Sequence, residues 1–120
     1  MKRLIVVTAG LTLALAVVAW AAVSIKVSPA SVTAGKVVKV SGSAGTGCGK
    51  GDQVTLISKA FPSTHEFAGV PAIYATTAKG GVFATTTTIP KTRKAGKYTI
   101  TARCGGGNFG VSATLKVLKP

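Results

Sequence analysis

The sequence has 120 residues and a formal net charge of +13, with only two side-chain carboxylates, Asp52 and Glu66, and one histidine, His65. That inventory leaves little for catalysis: a glycosidase pair would have to be Asp52 with Glu66, and a Ser-His-Asp triad would have to use His65 and Asp52 with no G-x-S-x-G elbow. His65-Glu66 opens a zinc H-E-x-x-H, but Gly69 stands where its second histidine belongs, so we expect no metal site, no cofactor and no enzyme.

The N-terminus reads as a secretory signal peptide. Lys2 and Arg3 precede an apolar run from Leu4 to about Val18, and Ala19-Trp20-Ala21 fits an A-x-A cleavage site. We expect residues 1–21 to be removed, leaving 22–120 as one exported domain, secreted or otherwise extracytoplasmic and associated with the cell envelope. The alternative is a retained anchor, since Leu4–Val23 is just long enough to cross a bilayer.

From residue 22 onward the pattern is two-residue alternation broken by Gly, Pro and Ser. "VSIKVSP" sets Val23, Ile25 and Val27 against Ser24, Lys26 and Ser28, and Pro29 ends or bends the run. "KVVKVSGS" places Val38 and Val40 on one face, and "DQVTLISK" turns Val54 and Leu56 inward. Residues 60–72 hold two prolines without a period and read as the longest loop or an irregular edge. "IYATT" is a short strand, with Lys79-Gly80-Gly81 a hairpin turn before "VFATTTTIP", whose Phe83, Thr85, Thr87 and Ile89 share a face. "YTITARC" sets Tyr98, Ile100, Ala102 and Cys104 against Thr99, Thr101 and Arg103. "VSATLKVL" puts Val111, Ala113, Leu115 and Val117 together. Seven short strands at regular spacing predict an all-β, antiparallel, immunoglobulin-like β-sandwich.

Two glycine-rich stretches imitate nucleotide sites. Gly105, Gly107 and Gly110 satisfy G-x-G-x-x-G, which needs a strand before it and a helix after it. "VSATLKVL" has strand periodicity, so Gly105–Gly110 reads as a hairpin loop between the last two strands. "GTGCGKGD" (45–52) lacks the first glycine of a P-loop, at Ala44, and its Ser or Thr, at Gly51. The only two cysteines, Cys48 and Cys104, predict one disulfide in an exported chain, tying the two glycine-rich loops at one end of the sandwich.

Charge is the strongest functional signal. Lys91, Arg93, Lys94 and Lys97 fall in one connection, while Lys26, Lys39, Lys116 and Lys119 point outward from or lie beyond the first two strands and the last. Such a surface attracts polyanions, which outside a cell means anionic wall polymer or a membrane surface. The alternative is that lysines keep the strand edges soluble. Phe83 and Tyr98 fit inward positions, which leaves Phe61, Phe67, Tyr74 and Phe109 as exposed aromatics, too few to predict a specific nucleic-acid site. Phe109, beside Asn108 at the tip of the glycine loop, is either a lid over the sandwich end or a loop contact residue.

"VSPASVTAGKVVKVSGS", "ATTAKGGVFATTTTIP" and "AGKYTITARCGGGNFGVSATLKV" together resemble the exported bacterial immunoglobulin-like domains common in actinobacteria. The resemblance covers nearly all of residues 22–120 and implies fold rather than function, since the shared pieces are scaffold. The opening strands also look like those of neocarzinostatin-type apoproteins, which carry a chromophore in a cleft between loops. That family has two disulfides and is acidic, so no binding residue is carried over; the likeness implies only a small apolar ligand as the alternative partner, held near Phe109.

Overall fold

The computed structural model describes residues 22–120 except 47, 49, 50, 105 and 106; the expected signal peptide lies outside the described residues. The chain is all-β, with nine strands among the described residues: β1 (Ser24–Ser28), β2 (Ser31–Thr33), β3 (Val37–Ser43), β4 (Gln53–Ile57), β5 (Glu66–Phe67), β6 (Val70–Thr76), β7 (Val82–Thr88), β8 (Gly96–Cys104) and β9 (Gly107–Leu118). They form a three-stranded sheet, β1-β3-β7, and a six-stranded sheet, β2-β9-β8-β4-β6-β5.

The alternation read from the sequence packs these sheets face to face. Val38 and Val40 of β3 and Phe83 of β7 meet Val54 and Leu56 of β4, Ile100 and Ala102 of β8, and Leu115 and Val117 of β9 in one buried cluster. Period-two side chains need only one dry face per strand, so each sheet keeps a solvated outer face.

Several expectations are corrected. Among the described residues there are nine strands rather than seven, and pairing is not wholly antiparallel, because β2 runs parallel to β9 with Ser31 opposite Lys116. Lys79-Gly80-Gly81 is not a hairpin turn. β6 and β7 belong to different sheets, and this 3₁₀ turn carries the chain between them with positive φ at Gly80 and Gly81. The irregular segment 60–72 contains a true hairpin, β5–β6, turned at Ala68 and Gly69, both at positive φ. Its start is buried, with Ala60 and Phe61 wholly inside the core, so Phe61 is not an exposed aromatic. Finally, β9 begins at Gly107, not Val111, so Gly107–Gly110 are strand residues; Val111 is exposed rather than inward. A strand, not a helix, follows the G-x-G-x-x-G match, and the match is accidental.

Gly42 marks the tightest approach in the smaller sheet. A Cβ there would stand 2.0 Å from the Ser24 carbonyl oxygen and 3.0 Å from Phe83 Cζ. Backbone cannot move aside as a flexible side chain can, so Gly42→Ala should force β1 off β3. We expect a loss of about 2–3 kcal/mol in urea unfolding. Gly107→Ala is the control: its Cβ would meet nothing closer than 3.8 Å, and its unfolding midpoint should barely change.

Candidate functional site

The register gathers charge at one end of the sandwich. β3 and β8 begin at the end where β7, β9 and β4 finish. Lys36 therefore lies in the turn before β3, Lys59 just after β4, and Lys119 just after β9. Lys91, Arg93 and Lys94 occupy the β7–β8 connection. Lys97, near the start of β8, is directly opposite Lys116 of β9, on the outer face of the six-stranded sheet. All of these except Arg93, which is half-buried, are exposed. Opposed like charges repel across strands, a cost that a bound anion removes.

The four cations expected to bind polyanion do not behave alike. The Arg93 guanidinium donates to the carbonyl oxygens of Ala60 (3.3 Å) and Phe61 (2.5 Å) and to Ser63 Oγ (3.4 Å), which pins the 58–63 segment to the β7–β8 connection. Its charge is turned into the fold. The Lys91 stem crosses Gly35, whose added Cβ would meet Lys91 Cγ at 2.9 Å, leaving the ammonium at the surface. The Tyr98 hydroxyl donates to the Lys94 carbonyl oxygen at 2.7 Å, which fixes the turn into β8. Lys97 borders a groove of about 440 Å³ on the outer face, where Thr99, Thr101, Ile57, Lys59 and Val70 also line the walls. Sequence reasoning placed Thr99 and Thr101 outward but not in a groove, because the wall supplied by Val70 depends on how the β5–β6 hairpin sits beside β4. Lys59 was missed; its position after an inward-facing strand was its only signal.

The opposite end is the cystine end. Cys48 and Cys104 are joined in a disulfide with Cα atoms 6.0 Å apart. Cys48 is buried and Cys104 ends β8, so the bond ties the β3–β4 connection to the edge of the core. Asp52 lies close to both sulfurs, within 4.8 Å, but these are spent on the bond and supply no thiolate for a metal. Phe109 is half-buried and packs edge-to-face on Phe83, ring centroids 6.0 Å apart, while Asn108 Oδ1 accepts the Gly110 amide at 2.7 Å. Phe109 thus covers the core end, and it borders a cleft of about 230 Å³ with Asn108, Val23, Ala44 and Thr46. Asp52 and Glu66 are not brought together. Asp52 sits beside Thr77 and Glu66 opposite Pro71, so roughly 20 Å of β6 separates them.

No protein-family model and no curated protein matches the chain. Among solved structures it is similar to the Pseudomonas fluorescens alkylpurine DNA glycosylase AlkC bound to DNA containing an abasic site analog, with a TM-score of 0.54 and 18% identity. The match covers 78% of this chain but 29% of the glycosylase, so the likeness concerns fold alone. A chain from a structure on T cell specificity and activation by the bacterial superantigen toxic shock syndrome toxin-1 aligns with a TM-score of 0.42 at 20% identity, over 80% of this chain and 99% of that one.

Proposed function

We propose that the protein is an exported, immunoglobulin-like, non-catalytic module that binds anionic cell-envelope polymer through its basic end. The observation that carries this reading is the gathering of Lys36, Lys59, Lys91, Lys94, Lys97, Lys116 and Lys119 at one end of the sandwich, where Glu66 is the one carboxylate side chain, while Lys79 and Arg103 accompany Asp52 at the other. A net positive field concentrated at one end attracts a polyanion more strongly than the same charges scattered. The immunoglobulin-like assignment is supported by the placing of β1-β3-β7 against β9-β8-β4, which matches the A-B-E and G-F-C strands of that architecture. Export is supported by the signal pattern of residues 1–21 and by the disulfide, a bond that persists in oxidising compartments.

Co-sedimentation with isolated cell walls over a salt series tests the proposal. Bound protein should fall at least about tenfold between 50 and 500 mM salt as the charges are screened. The triple variant Lys91→Gln, Lys94→Gln, Lys97→Gln should bind weakly even at low salt, while Arg93 is left intact because it holds the fold. Salt-independent binding would overturn the reading. A second reading, a small-molecule carrier, is favoured by the cleft beside Phe109; at about 230 Å³ it is smaller than most ligand pockets.

A further inference from the structure

The groove on the outer face of the six-stranded sheet has a chemistry narrower than charge. Lys97, Thr99 and Thr101 are successive outward residues of β8, roughly 6.7 Å apart. Directly across on β9 stand Lys116, Thr114 and Ser112. Threonine is ordinary on an outward strand face. What sets this stretch apart is that Val70 and Lys59 wall it in over Ile57, giving a cavity of about 440 Å³ in the range that holds small ligands. The surface therefore offers ammonium groups at one end, hydroxyls along its length, and an apolar patch beside them.

We infer that this groove reads the sugar units of an anionic polysaccharide, with Lys97 and Lys59 on the acidic group, Thr99 and Thr101 hydrogen-bonded to ring hydroxyls, and Ile57 and Val70 against the C–H face of a ring. The inference rests on the polyanion reading and specifies its ligand. A bare polyphosphate uses the lysines and leaves the hydroxyls to water. A lipid surface presents a plane, which a concave face cannot follow. Single-stranded nucleic acid needs open aromatic faces. Tyr98, the aromatic that lines this groove, is half-buried against the core with its hydroxyl on the Lys94 carbonyl oxygen, so it offers no open face. The exposed Phe67 ring holds the Arg103 guanidinium 5.1 Å from its centroid, and Tyr74 lies in edge contact with His65 at 5.2 Å.

The test compares polygalacturonate, polyphosphate of matched charge, neutral dextran and poly-thymidine by titration calorimetry at one salt concentration. The protein is used as wild type and as the Thr99→Val, Thr101→Val double variant, which keeps shape and charge. Wild type should bind polygalacturonate about tenfold more tightly than polyphosphate, two hydroxyl hydrogen bonds being enough for that margin, and should bind dextran weakly. The double variant should lose that tenfold preference and keep its polyphosphate affinity, and a urea unfolding transition like that of wild type shows that it is folded. Equal affinity of wild type for the two polyanions, or a preference unchanged in the variant, would overturn the groove assignment and leave the polyanion reading standing. Poly-thymidine bound as tightly as polygalacturonate would overturn the sugar assignment. If no polyanion binds at low salt, both fall.

Discussion

Reduction of the Cys48–Cys104 bond is expected to lower the unfolding free energy by about 4 kcal/mol. The bond closes a sequence separation of 56 residues, and the loop-closure entropy removed from the unfolded chain grows with the logarithm of that length. Domains of this size have total stabilities of about 5–15 kcal/mol, so the reduced protein should unfold at least about 15 °C lower. Guanidinium titration with and without reductant measures it. The location adds a second expectation: Cys48 is only 7% exposed in the core cluster, whereas Cys104 is half-buried and borders the Phe109 cleft, so reductant should attack the folded protein at the Cys104 sulfur and act faster once denaturant opens the Cys48 side. A loss under about 1 kcal/mol would mean that the reduced, unfolded chain retains structure that already restricts the span between Cys48 and Cys104.

Phe61→Ala should cost about 3–5 kcal/mol, the usual range for emptying a buried aromatic site. The ring is 0% exposed among Leu56, Ile89 and the other core side chains, although it follows β4 in a segment with no regular structure of its own. The loss has two parts. A cavity opens beneath the 58–63 segment, and the Phe61 carbonyl that accepts from Arg93 loses its anchorage. Urea unfolding should show a lower midpoint with an unchanged slope. Arg93→Ala should weaken the same segment, leaving the Ala60 and Phe61 carbonyls without their guanidinium. The two losses should add to less than their sum, because both loosen one contact.

Those residues also show where sequence reasoning stops. Strand faces were legible wherever a long alternation met a single core: in β8, Ile100 and Ala102 are buried while Thr99 faces out, as the pattern of "YTITARC" predicts. The disulfide was legible because two cysteines allow one intramolecular pairing. The short strands β2 and β5 were not, since three and two residues hold no measurable period. Gly107–Gly110 were read as a loop because glycine marks turns, yet Arg103 and Cys104 pair with Asn108 and Gly107, and the register shifts between Thr101 and Arg103. Phe61 and Arg93 escaped for one reason. Their contact spans 32 positions, and no local pattern encodes an arginine whose partner carbonyls lie that far back. Within the site, the lysines of the β7–β8 connection and of β9 were visible one by one, but Lys36 and Lys59 were not, and the groove exists only once β5–β6 folds beside β4.

The two ends of the sandwich give the molecule a heading. Lysines crowd the end where β9 finishes, and the cystine, Asp52 and the Phe109 cleft occupy the end where it starts. A protein drawn to a negatively charged layer by the first end arrives already aligned, as a compass needle does, with its cystine end toward the surrounding medium. Every copy on such a layer would then show the same small aromatic cleft outward, and would do so without a second anchoring contact.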